Sequence, residues 1–153
     1  MLRAESRLTN GDDESIANRA KFTTKESDLA ETLRSRPRVL IVDDHKLIAD
    51  TLAEIFKGAG FDAVAAYDGW DALEIMFHLK PDWVISDVLM PRMNGVELAI
   101  AIRKNYPVAK ILLLSGQAGV SEILQEGRRK GYEFELIGKP IHPLKLIERL
   151  KEK

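Results

Sequence analysis

The sequence predicts an α/β fold in which a parallel five-stranded sheet carries helices on both faces, and three observations lead to it. Apolar segments of strand length stand at 38–43, 62–66, 82–87, 109–115 and 134–138. Each is followed by a stretch whose apolar residues recur at helical spacing. Glycine or proline marks most of the joints, at Gly58, Gly60, Pro81, Pro107 and Gly131. Strands that alternate with helices pair in parallel, because the helix carries the chain back along the sheet before the next strand begins.

RVLIVD (38–43) is a continuous, β-branched apolar run ending in an acid, as expected of a strand buried on both faces. Ile48, Leu52, Ile55 and Phe56 then mark one face of a helix that Gly58 and Gly60 end. DAVAA (62–66) is a second, weaker strand. Asp68 is placed to cap a helix whose packed face runs through Trp70, Leu73, Met76 and Phe77. DWVISD (82–87) again finishes on an aspartate, with Trp83 packing at its start. Asn94 opens a third helix through Val96, Leu98 and Ile102, and AKILLLS (109–115) is the most apolar strand. A fourth helix carries Ile123 and Leu124 to Gly131. FELIG (134–138) and a last helix with Leu144, Ile147 and Leu150 complete the series. That helix runs almost to Lys153, so no effector domain is expected after it.

Residues 1–36 differ in composition from the rest. They hold seven basic and seven acidic residues with thinly spread apolar ones, too few to bury a core, so this extension is expected to be mostly disordered. Thr23 and Glu26 have capping-box spacing with Leu29 and Leu33 on one face beyond, which allows a short linker helix or a docking or dimerising one. Residues 37–153 then form the folded domain. Across all 153 residues, 23 Lys and Arg balance 24 Asp and Glu, which gives no electrostatic reason to expect nucleic acid or an anionic membrane as partner. The absence of cysteine excludes disulfides, thiolate catalysis and Cys-ligated zinc. No signal-like or membrane-spanning run occurs, and a cytoplasmic location is expected.

In doubly wound sheets, ligands gather at the carboxyl ends of the strands. The first strand ends in Asp43-Asp44, the third in Asp87, the fourth in Ser115 and the fifth in Lys139-Pro140. Three carboxylates brought together repel and raise one another's pKa values, and a hard divalent cation relieves that. Mg²⁺ suits a site of oxygen ligands. One carboxylate can then attack phosphorus while Lys139 and Ser115 stabilise phosphoryl oxygens. The histidines His45, His78 and His142 lie on separate elements without ligand-like spacing; only His45 adjoins the acids, where it can tune them. The basic run Arg128-Arg129-Lys130 is read as a solvated helix end rather than a nucleic-acid patch.

VDDH (42–45), SDVLMPRMNG (86–95), LLLSG (112–116) and GKP (138–140) resemble, in order and spacing, the signature segments of two-component receiver domains. The resemblance spans residues 38 to about 152. It implies a flavodoxin-like (βα)₅ fold with strand order 2-1-3-4-5, and it makes Asp87 the phosphoacceptor. Asp44 would then bind Mg²⁺ directly, Asp43 mainly through water, and the Leu89 carbonyl would complete the protein ligands. Ser115 matches the hydroxyl that follows the phosphoryl group and Lys139 the site lysine, with Pro140 after a cis peptide. Pro91 and Gly95 match the loop that turns into the third helix.

The resemblance further implies a histidine kinase or phosphotransfer protein as donor, and a downstream protein target or onward relay as output. It implies a phosphoacceptor with slow self-catalysed dephosphorylation, not an enzyme. Leu136 departs from the pattern, since many receivers carry there an aromatic ring that moves on phosphorylation. Either Tyr132 or Phe134 supplies a ring from a shifted register, or the switch works without one. Leu89 and Gln117 flank the path of a hydrolytic water. A scaffold that never uses phosphorylation is the rival reading, and a small aspartyl phosphohydrolase a second. The hydrolase lacks an acid/base aspartate where Leu89 stands and a cap for substrate selection.

Overall fold

The computed structural model describes residues 36–116 and 120–152. The expected N-terminal extension, with its helix from Thr23 to Leu33, and Gln117 lie outside these residues. Strands β1 (Arg38–Val42), β2 (Asp62–Ala66), β3 (Trp83–Asp87), β4 (Lys110–Ser115) and β5 (Glu135–Gly138) alternate with helices. The helices are α1 (Lys46–Gly58), α2 (Gly69–Leu79), α3 (Gly95–Asn105), α4 (Val120–Arg129) and α5 (Pro143–Glu152). The sheet is parallel throughout, in the order β2-β1-β3-β4-β5. The expected topology is therefore present, and the strand order reverses between β1 and β3.

Side-chain alternation along the strands divides the core in two. Leu40, Val42, Val84, Ile111 and Leu113 face α2, α3 and α4 through Ala72, Met76, Leu98, Ala99 and Ile102. Their neighbours Val39, Ile41, Trp83, Ile85, Leu112 and Leu114 face α1 and α5 through Ala53, Phe56, Leu146, Ile147 and Leu150. β1, β3 and β4 thus each contribute to both layers, which is why these segments read as unbroken apolar runs rather than as alternating ones.

The helix starts follow their local chemistry. Asp68 accepts from the Asp71 N–H at 2.7 Å. Asn94 and Glu97 form a reciprocal capping box at 2.8 and 3.1 Å. Past α1, Gly60 takes φ +98°, a left-handed conformation that glycine adopts without Cβ strain.

Three helix faces differ from expectation. In α1 the buried residues are Ala49, Ala53 and Phe56, whereas Ile48 is half exposed, and Leu52 and Ile55 pack only along the flank. In α2 they are Gly69, Ala72 and Met76; Trp70 and Phe77 stand 65% and 68% exposed. In α5, Leu146 is buried and Leu144 exposed. The cause is common to α1 and α2. Small residues let a helix axis sit close to the sheet, so Ala and Gly take the inward positions and the larger neighbours are turned outward. Gly69 is crowded from another side, by the β3–α3 loop, for a Cβ there would stand 2.4 Å from Met93 Sδ.

Candidate functional site

The carboxyl ends of β1 and β3, where strand order reverses, carry the acids. Asp43 follows β1 and is buried, its backbone N–H donating to the Ala66 carbonyl at 3.1 Å. Asp87 closes β3 and is only 7% exposed. Lys139 leaves β5 with its backbone N–H donating to the Ser115 carbonyl at 2.7 Å, and its peptide to Pro140 is cis. That anchorage brings Lys139 Nζ to 2.5 Å from Asp87 Oδ1 and 3.7 Å from Asp43 Oδ2.

The cluster is tighter than the sequence implied. One ligand atom from each of Asp43, Asp44, His45 and Asp87 lies within 4.8 Å of all the others. Asp43 Oδ1 accepts from the His45 backbone N–H at 2.9 Å. His45 Nδ1 stands 3.2 Å from Asp43 Oδ1 and 3.5 Å from Asp44 Oδ1. Sequence reading placed His45 beside the site but not among its donor atoms; its position directly after the acidic pair was the available signal.

The Asp87 carboxyl is pushed above the ordinary carboxylate range, first by burial. The adjoining Asp43 charge adds to the rise, while Lys139 opposes it. Asp44 Oδ1 is buried and has no hydrogen-bond partner among the described residues. A buried carboxylate oxygen left this way is costly. A cation seated between Asp43, Asp44 and Asp87 would satisfy it, so the donor set fits a hard divalent ion.

Loop geometry fixes Asp87 from below. The Gly95 N–H donates to the Val88 carbonyl at 2.8 Å, and a Cβ on Gly95 would meet the Asp87 carbonyl oxygen at 2.1 Å. Only glycine allows α3 to start this close to the acid. Leu89, two residues after Asp87, is half exposed on this loop. Ser115 ends β4, half-buried, with its Cα paired to Gly138 across from β5.

A family model for the response regulator receiver domain matches residues 39–151. The chain belongs to that family. Among solved receiver-like structures, the chemotaxis protein CheY4 of Vibrio cholerae is 32% identical, with 77% of this chain and 98% of that one covered and a TM-score of 0.67. A two-component transcriptional regulator AraC from Clostridium phytofermentans is 35% identical over 76% of this chain and 90% of that chain, with a TM-score of 0.62. A CheY-like receiver domain protein from Methanospirillum hungatei is 27% identical over 77% and 93%, with a TM-score of 0.68.

Two features of this receiver lie beyond what its motifs conveyed. Leu136 stands on β5 at 41% exposure, and Phe134, two residues earlier, packs against the α2–α3–α4 layer. The Phe134 ring contacts both Tyr132, parallel to it with centroids 6.2 Å apart, and the Arg103 guanidinium, 4.7 Å from its centroid. Both rings are thus engaged upstream of Leu136. On the other side of the sheet, an apolar groove of about 780 Å³ runs between α1 and α5, lined by Leu47, Ile48, Leu52, Ile141, Pro143 and Leu146 and ending at Asp43 and Lys139. Among the described residues, no helix is long and apolar enough to cross a membrane.

Proposed function

We propose that Asp87 of this receiver accepts a phosphoryl group from the phosphohistidine of a histidine kinase or phosphotransfer protein, with Mg²⁺ held by Asp43, Asp44 and Asp87 and the Leu89 carbonyl. The observation that carries the reading is the 2.5 Å pairing of Lys139 Nζ with a buried Asp87, beside an Asp44 oxygen that has no hydrogen-bond partner among the described residues. Asp87 Oδ attacks phosphorus, a P–O bond forms, and the P–N bond to the donor imidazole breaks. Lys139 then lies within reach of a phosphoryl oxygen, and the Ser115 hydroxyl is the group that would follow it. The cation, when bound, neutralises charge on the transferring phosphoryl oxygens.

The apolar groove beside Asp43 and Lys139, with Leu47 and Ile48 exposed at its edge, gives a protein donor a surface to dock on. Output runs through contact with a downstream protein, or through onward phosphorelay, in the cytoplasm. The chain is a phosphoacceptor and not an enzyme with a separate substrate. The second reading, a scaffold that keeps the fold without phosphorylation, draws on Leu136, which has no ring to move.

The test is intact mass after incubation with Mg²⁺ and a small acyl phosphate, beside Asp87→Asn. Wild type is expected to gain one phosphoryl group and Asp87→Asn none. A wild type that gains nothing, and that also ignores beryllofluoride, would establish the scaffold. Rapid turnover of unrelated phosphate esters would instead establish a hydrolase.

A further inference from the structure

His45 occupies the N-cap of α1, yet its side chain makes no cap hydrogen bond to the helix, and no acidic residue sits in the first turn. Caps are usually Ser, Thr, Asp or Asn, whose oxygens accept from the exposed N–H groups. The imidazole instead turns back over the acidic pair. Its Nδ1 lies 3.2 Å from Asp43 Oδ1 and 3.5 Å from Asp44 Oδ1, the buried oxygen that has no hydrogen bond among the described residues. Adjacent ligand atoms around an octahedral ion with bonds of about 2.1 Å are about 3.0 Å apart, so these separations are near those of neighbouring donors on one ion. The ring is 69% exposed, so it can rotate by the small amount that coordination requires.

We propose that His45 is a metal-selectivity residue, adding one imidazole nitrogen to the carboxylate site and favouring Ni²⁺ and Zn²⁺ over Mg²⁺. The inference rests on the reading of Asp43, Asp44 and Asp87 as a divalent-cation site. The chemistry is that of donor softness. Mg²⁺ takes oxygen ligands and keeps its waters, whereas imidazole is a good ligand for Ni²⁺ and Zn²⁺. In the metal-free site the 3.2 Å contact is a hydrogen bond from Nδ1–H to Asp43 Oδ1. An ion between them takes the place of that proton, the neutral ring carrying its hydrogen on Nε2 instead so that the Nδ1 lone pair binds. A carboxylate-only site would rank these ions by their general affinity order; His45 widens the gap between Mg²⁺ and the nitrogen-seeking ions.

The experiment uses the full chain and reads free Mn²⁺ by electron paramagnetic resonance. It runs at about pH 8, above the ordinary imidazole value of about 6.5. Mg²⁺, Ni²⁺ and Zn²⁺ are titrated in turn to displace Mn²⁺, so that only ions entering this site are counted. His45→Ala is expected to weaken Ni²⁺ and Zn²⁺ by about tenfold or more and to change Mg²⁺ by no more than about twofold. His45→Asn, which keeps a polar side chain beside Asp43 without the imidazole nitrogen, is expected to behave like His45→Ala. Equal shifts for all three ions, or full Ni²⁺ affinity in either variant, would overturn the role of His45 alone. A wild type that takes up neither Mn²⁺ nor Mg²⁺ would overturn the cation site itself. Phosphorylation of Asp87 is scored separately by mass, so its failure is distinguishable from both.

Discussion

At Asp87 the burial that would shield an acyl phosphate from water also opposes the ionised carboxylate needed to form one. Burial and the Asp43 charge raise its pKa above the ordinary 3.8, and Lys139 only partly offsets them. The linkage has a definite sign. An acid whose pKa is higher in the folded than in the unfolded state binds more protons when folded, so stability falls as pH rises from the ordinary value through the raised one. Above that window the loss persists. Asp87→Asn removes the ionisation and keeps the shape. Without divalent cations it is expected to melt a few degrees higher than wild type near neutral pH, on the order of 1 kcal/mol. Below the window, where wild type is also uncharged at this position, the difference should shrink towards zero. Thermal melts at a series of pH values check this, and an Asp87→Asn variant that melted below wild type near neutral pH and converged with it towards acid pH would show that Lys139 outweighs burial. Asp87 itself was legible in the sequence because an apolar strand ended on it. Its energetics were not, since they depend on how deep the strand end lies and on which oxygen Lys139 meets.

The loop between β3 and α3 shows what an element contributes to that residue. Gly95 begins α3 under the Asp87 carbonyl, where a Cβ would approach backbone oxygen at 2.1 Å and the Val88 Cα at 2.9 Å. Neither neighbour is a flexible side chain, so the loop itself must move to admit a methyl group. Gly95→Ala is expected to cost about 2–4 kcal/mol, more than the usual substitution, because the collision is with backbone. It should also slow acyl-phosphate labelling, since Asp87 is carried on the displaced segment. Denaturant unfolding measures the first effect and intact mass the second; a variant of wild-type stability would mean that α3 can start further away. The caps of α2 and α3 were readable as Asp68 and Asn94 because capping depends on local spacing. The inward faces of α1 and α2 were readable only in part, through Phe56 and Met76, which are buried as expected. Periodicity weights large apolar residues, whereas close helix–sheet contact selected Ala49, Ala53 and Ala72 and left Trp70 and Phe77 outside.

Over the whole molecule, strand order came from the resemblance of four short segments, and the parallel sheet from the alternation of strand and helix alone. The groove between α1 and α5 was invisible at either level, because it depends on how far apart two helices sit that are distant in sequence. The two-layer core has a mechanical consequence that no single element carries. Every central strand sends consecutive residues to opposite faces: Val39 and Ile41 against Leu40 and Val42, Ile85 against Val84, Leu112 and Leu114 against Leu113. Neither layer can lose its packing without disturbing the strands that the other packs on, so both should melt in one transition. Ile102 lies fully buried in the α2–α3–α4 layer, and Trp83 is buried on the opposite face. In a Trp70→Phe background, which removes the exposed indole and leaves Trp83 as the only one, Ile102→Ala is expected to destabilise by about 2–5 kcal/mol. The Trp83 fluorescence transition should shift to the same lower midpoint as the far-ultraviolet circular dichroism transition. If the Trp83 midpoint stayed where it was while the helical signal moved, the faces would be melting separately. Coincident midpoints would mean that the α3 side and the α1 and α5 side unfold as one cooperative unit, joined by the strands they share.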